Sequence, residues 1–199
     1  SLGGHIVSMT REPSDLLTVL WLWRWSEQTD GGDPRDAELR LPVIPLFETI
    51  GDLERATHIL TVLLDNPVYR DWLSAQGDRQ IVMIGYSDST KDGGYLAACW
   101  HLQRVQSDLH NLAASRGVKL TFFHGRGGSL GRGGGPAARA ILSLPTPAFD
   151  GSLRLTEQGE ILAERYDDPQ VAFRHLQQVL WSVIVATTQG THSIPDAWT

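Results

Sequence analysis

The chain has 199 residues, with 17 basic and 23 acidic side chains and a formal charge of −6. That balance excludes a nucleic-acid binder held by overall charge. The single cysteine excludes a disulfide framework or a multi-cysteine zinc site, and no apolar run is long enough to span a bilayer.

The length suits one domain or a single partial domain. Ser1-Leu2-Gly3-Gly4-His5 has no initiator Met and no basic leader, so it reads as cut from something longer. A reducing, cytoplasmic setting is the expectation.

Four strand–helix units run through residues 1–145. The apolar run 5–9 predicts a first strand, and Pro13 then suits the first turn of a helix over 14–25. The polar, glycine-containing stretch 27–39 reads as an exposed loop. A second strand is predicted over 41–47. Thr49 and Asp52 read as a capping box opening a helix with Leu53, Ala56, Leu60 and Leu63 on one face. The third strand, 81–85, precedes a helix of about twenty residues whose stripe is Ala98, Leu102, Val105, Leu109 and Leu112. Gly117 closes it as a C′ residue. Cys99, beside Trp100, is expected to pack in the core, and Trp21, Trp23 and Trp25 to pack against further parts of the protein. The fourth strand, 118–123, leads into a glycine-rich loop and a short helix over 136–142. Residues 146–199 change pattern: 151–156 reads as a strand or an extended arm, 173–187 as an apolar helix, and 190–199 as a loose tail.

The strands are continuous apolar runs, which predicts burial on both faces, as in a parallel sheet covered by helices. The fold class is α/β, with either an open doubly wound sheet or part of a (β/α)8 barrel as the architecture. In both, chemistry gathers at the carboxyl ends of the strands.

Those ends are rich in polar groups. The second strand ends in Glu48. The third ends in Tyr86-Ser87-Asp88-Ser89-Thr90-Lys91-Asp92. The fourth ends in His124 and a loop, 125–135, with seven glycines in eleven residues and the arginines Arg126 and Arg132. Gly125, Gly127, Gly128, Gly131 and Gly133 let the backbone approach a ligand closely and turn N–H groups toward an anion. Arg126 and Arg132 add bidentate recognition of phosphate or carboxylate. Glu48 and Asp88 at neighbouring strand ends suit Mg2+ or Mn2+, against the simpler reading that each caps a helix. Lys91 is one of two lysines among fifteen arginines, so it reads as a chosen point charge, or else as a surface partner of Asp88 and Asp92. His124 reads equally as an acid–base group and as a hydrogen-bond donor in the rim. The loop also carries a weak Gly-x-Gly-x-x-x-Gly pattern, which leaves an NADP-binding oxidoreductase as a lesser reading. A non-catalytic anion- or phosphate-binding module is the other.

Residues 123–136 and 82–92, with 8–15, 45–49 and 151–160 in the same order, resemble phosphoenolpyruvate carboxylase over nearly the whole chain. The resemblance implies part of a (β/α)8 TIM-like barrel with additional helices. It implies formation of oxaloacetate and phosphate from phosphoenolpyruvate and bicarbonate with a divalent metal. Glu48 and Asp88 match metal ligands, Arg132 the loop arginine on the phosphate or carboxyphosphate, and Arg126 an arginine gripping phosphoenolpyruvate. Lys91 matches a lysine near bicarbonate, and His124 lies in the same motif with a less defined role. An acidic feedback inhibitor, aspartate or malate, near Arg132 and a homotetramer of full-length chains are also implied. Thr90 and Gly93 depart from the usual Gly or Ala and Ala. The family's essential histidine motif, Thr-Ala-His-Pro-Thr, is not in this chain, so the 199 residues alone are expected to be inactive.

Overall fold

Five short strands carry the architecture: β1 (His5–Val7), β2 (Val43–Phe47), β3 (Arg79–Gly85), β4 (Lys119–Gly125) and β5 (Arg154–Thr156). They belong to a computed structural model that describes residues 3–29, 41–126, 137–145, 152–157 and 159–189. The strands lie side by side in sequence order and every neighbouring pair is parallel. A doubly wound sheet reverses its strand order at a switch point, whereas sequential parallel order is the winding of a barrel. The curvature agrees. The Arg154 guanidinium on β5 donates to the Gly3 carbonyl beside β1 (3.4 Å), across the whole sheet. The chain is thus an α/β half-barrel, consistent with part of a (β/α)8 barrel.

The helices follow local rules legible in the residues. Helix α1 (Pro13–Thr29) has Pro13 at its start. Helix α2 (Ile50–Asp65) opens on the expected capping box: Asp52 N–H donates to Thr49 Oγ1 (3.2 Å) and Thr49 N–H to Asp52 Oδ2 (3.1 Å). Helix α3 (Pro67–Ser74) is an addition to the predicted set. Asn66 caps its first turn and Pro67 supplies its preset φ. It delivers Tyr69, whose hydroxyl donates to the buried Gln80 side chain in β3 (2.6 Å).

Helix α4 (Ser87–Ser115) is longer than expected and broken at Gly94 (φ 80°, ψ 166°). It ends as the sequence suggests. Gly117 takes φ 69°, and Val118 and Gly117 N–H return to Ala113 and Ala114 carbonyls (2.9 and 3.1 Å), a Schellman closure. Cys99 is exposed, contrary to expectation. The buried stripe runs through Ala98, Leu102, Val105 and Leu109, and Cys99 lies about 100° around the helix from it. Helix α5 (Ala137–Leu142) precedes β5, and α6 (Gly159–Tyr166) and α7 (Pro169–Gln189) follow it. Within the 151–156 segment, residues 154–156 form a strand joined to the sheet.

Leu53, Ala56, Leu60 and Leu63 of α2 pack with Leu102, Val105 and Leu109 of α4 against Val43, Phe47, Val82, Ile84 and Phe122 of the sheet. Only β2 is buried throughout. The strands β3 and β4 alternate buried with half-buried residues toward their carboxyl ends. The expectation of two fully buried faces is corrected accordingly. The helix-covered face is closed, while the concave face of Met83, Gly85, Phe123 and Gly125 is half-open. Trp21 and Trp25 stack edge to face (4.9 Å) on the exposed side of α1. Among the described residues no helix is long and apolar enough to cross a membrane.

Candidate active site at the strand ends

Glu48 follows β2 and continues the register of Leu46, which pairs with Met83. It therefore belongs to the concave face. Gly85 makes room for it, because a Cβ there would lie 3.3 Å from both Cα and Cγ of Glu48. The carboxylate accepts a hydrogen bond from the Met9 backbone. Met9 presents that N–H from a left-handed conformation, φ 51°, which is unfavourable for a residue with a Cβ. Thr10 locks the turn in place. Its N–H donates to Leu46 O (3.1 Å), and its hydroxyl donates to Val7 O (2.8 Å) and accepts from Leu46 N–H (3.3 Å). The strand-end acid is thus held by a segment some forty residues earlier, which periodicity could not reveal.

Asp88 and Lys91 stand in the first turn of α4. Lys91 Nζ donates to Asp88 Oδ1 (2.8 Å), with both side chains at least half exposed. Asp92, the other acid beside Lys91, instead accepts from Ile50 N–H (3.0 Å) at the start of α2, joining two strand–helix units. Burial, and then the negative charge of Asp88, raise the Glu48 pKa above its ordinary value. The Asp88 charge therefore acts on Glu48. Two hard oxygen donors at adjoining strand ends suit a small divalent cation that takes its remaining ligands from water or substrate. Among the described residues no group of three or more His, Cys, Asp or Glu side chains converges.

A second polar group sits at the ends of β3 and β4. His124 pairs with Ile84 in register and shares its helix-covered face. It is only 5% exposed. Burial, reinforced by the nearby Arg126 charge, lowers its pKa to about 4, so the imidazole is neutral at ordinary pH. Its Nδ1 lies 2.9 Å from the Tyr86 hydroxyl. Arg126, immediately after β4, is 8% exposed. Its guanidinium lies 5.8 Å from the Tyr86 ring centroid, and its Nε has no hydrogen-bond partner among the described residues. Burial pushes the Tyr86 phenol pKa up. Ladder bonds continue past the strands and hold both residues: Tyr86 N–H to Gly125 O (3.2 Å) and Arg126 N–H to Thr156 O (3.0 Å).

Of the residues singled out from sequence, Glu48 and Asp88 thus interact with each other, Asp88 with Lys91, and His124 with Arg126. Gly125 ends β4, where a Cβ would lie 2.8 Å from Met83 Cε. Gly127, Gly128, Gly131, Arg132 and Gly133 lie outside the described residues. Sequence reasoning passed over Tyr86, Gly85 and the Met9–Thr10 turn. For Tyr86 the signal was its place between a buried strand and the acid-bearing turn.

Comparison with known proteins bears on this geometry. A family model described as phosphoenolpyruvate carboxylase matches residues 1–199. The chain is 47% identical over 201 residues to a phosphoenolpyruvate carboxylase of Xanthomonas campestris pv. campestris (strain 8004), covering 100% of this chain and 22% of that protein. It is 45% identical over 185 residues to one of Rhodothermus marinus, covering 90% of this chain and 20% of the relative. It is 50% identical over 179 residues to one of Thermus sp. (strain 71), again covering 90% and 20%. The chain spans about a fifth of the length of these curated relatives.

Proposed function

The chain belongs to the phosphoenolpyruvate carboxylase family, and on that premise we propose that it supplies the metal-binding and substrate-binding portion of such an enzyme. The reaction is carboxylation of phosphoenolpyruvate by bicarbonate. It passes through carboxyphosphate and pyruvate enolate to oxaloacetate and phosphate. The observation that carries this reading is the placement of Glu48 and Asp88 just beyond the ends of the paired strands β2 and β3, where the Asp88 charge helps raise the Glu48 pKa; a cation bound there would offset that effect.

In this reading Glu48 and Asp88 hold Mg2+ or Mn2+. When bound, the metal supplies Lewis-acid stabilisation of negative charge developing on a substrate oxygen. Arg126 brings a buried cation whose Nε–H has no partner among the described residues, suited to phosphate or carboxylate. Lys91, paired with Asp88 and largely exposed, would offer its ammonium group to bicarbonate beside the residues that would hold the metal. His124, neutral and buried, serves as a hydrogen-bond donor and not as a proton shuttle near pH 7. Arg132 and the loop glycines are assigned the phosphate or carboxyphosphate, with an acidic feedback inhibitor, aspartate or malate, near Arg132. The whole enzyme is a cytoplasmic homotetramer in this reading.

Titration of the chain with Mn2+, followed by its electron paramagnetic resonance signal, tests the ligand assignment. Glu48→Gln and Asp88→Asn should each weaken binding by at least ten-fold, as expected when a two-carboxylate site loses one anionic ligand. In the full-length enzyme each should abolish Mg2+-dependent turnover while leaving the circular dichroism spectrum intact. Unaltered metal dependence in both variants would remove the assignment.

A further inference from the structure

The partly buried contact between Tyr86, His124 and Arg126 has a chemical consequence beyond the assigned roles. A neutral imidazole carries its single proton on Nδ1 or on Nε2, and its hydrogen-bond partners decide which. Here the partner at Nδ1 is a phenol hydroxyl at 2.9 Å. With a phenol O–H donating, Nδ1 is the acceptor and the ring proton resides on Nε2. No other hydrogen bond holds the imidazole among the described residues. The same phenol ring faces the Arg126 guanidinium at 5.8 Å, within the range of a cation–π contact. One side chain, just past the end of β3, therefore meets both donors at the end of β4. All three line a small, half-open cavity of about 10 Å³ whose apolar walls include Ile141 and Leu144 of the α5 segment and Leu155 of β5.

We propose that Tyr86 is a positioning residue, holding His124 as the Nε2–H tautomer through its hydroxyl and Arg126 in place through its ring. It presents two prearranged donors, an imidazole N–H and a guanidinium N–H, to the anionic end of the substrate. The energetic reason is that a buried guanidinium, its Nε–H without a partner among the described residues, and a buried imidazole cannot reorient cheaply once a ligand arrives. A site that has fixed them beforehand spends less of its binding energy on ordering. The last step, that the anion is phosphoenolpyruvate, rests on the function proposed above. The tautomer and the contact geometry do not.

The test is nitrogen-15 NMR of the histidine side chains of the 199-residue chain, with His124 assigned by its loss in His124→Asn. The expected result is one dominant species with the proton on Nε2 between pH 6 and 8, and loss of that preference in Tyr86→Phe, which keeps the ring and deletes the hydroxyl. A proton on Nδ1 in the unsubstituted chain would overturn the proposal, as would an unchanged tautomer in the variant. Should Tyr86→Phe not fold, ring-fluorinated tyrosine, a stronger phenol donor, must move the His124 Nδ1 resonance, and an unmoved resonance counts against the contact. The final step is read separately, by phosphoenolpyruvate affinity of the full-length enzyme. There Tyr86→Phe should weaken binding by about ten-fold, the cost of one lost hydrogen bond. Unchanged affinity with a changed tautomer would leave the positioning intact and remove phosphoenolpyruvate as its ligand.

Discussion

His124 shows how burial assigns a role that residue type leaves open. From sequence it reads equally as an acid–base group and as a donor. Its pKa of about 4 decides for a neutral ring, since taking an imidazolium out of water is costly. The sign of the linked stability follows. The unfolded chain protonates His124 near the ordinary value of 6.5, and the folded chain only near 4. Between these values the unfolded state binds more protons, so the contribution is complete above about pH 6.5 and lost as pH falls toward 4. Urea unfolding of the chain should show a midpoint that drops across this window, and His124→Gln should flatten that part of the profile. A profile unaffected by the substitution would mean the ring is not buried as described. Gly85 illustrates the opposite kind of residue. It has no chemistry of its own, yet its missing side chain is what lets Glu48 pass beside β3.

At the level of elements, α4 is two helical pieces with separate tasks. The first turn carries Asp88 and Lys91, and the longer piece beyond Gly94 packs Leu102, Val105 and Leu109 onto the sheet. The break is needed because one straight helix would couple the angle of the site turn to the packing of the core. Gly94 sits at φ 80°, ψ 166°, a region that is essentially glycine's alone. Gly94→Ala should therefore lower the unfolding free energy by about 1–3 kcal/mol, measured by urea denaturation. Nothing else lies within 4 Å of a Cβ there, so the loss would report backbone strain and not a clash. Undiminished stability would show that the kink is not needed. The apolar periodicity of α4 was readable from sequence, but the break was not. Two adjacent glycines, Gly93 and Gly94, were its only mark.

For the whole molecule, the relevant fact is the open concave face and what surrounds it. Trp21, Trp25, Phe173, Leu180 and Trp181 are all more than half exposed, which is apolar surface suited to contact with other polypeptide. The chain covers about a fifth of its relatives, and the Thr-Ala-His-Pro-Thr motif expected of the family's essential histidine is not among its 199 residues. Purified chain supplied with phosphoenolpyruvate, bicarbonate and Mg2+ should thus produce no oxaloacetate in an assay coupled to NADH oxidation. Detectable, protein-dependent oxaloacetate would show that the residues described here suffice for catalysis.

The features the sequence determined by itself share one property: their partners lie within a few residues. The capping box of Thr49 and Asp52, the apolar face of α2, the stripe of α4 and the closure at Gly117 all obey rules of three, four or five positions. The acid-bearing strand ends were legible for the same reason. Tertiary structure alone decided what meets across the sheet. It made 154–156 a fifth strand, joined Tyr86 to His124 across 38 residues and Asp92 to Ile50 across 42, and set the Met9 backbone against Glu48. A parallel strand finds its neighbour through a crossover of dozens of residues. Local periodicity carries no information about that neighbour, and only the closed hydrogen-bond ladder and the packed helix layer select it.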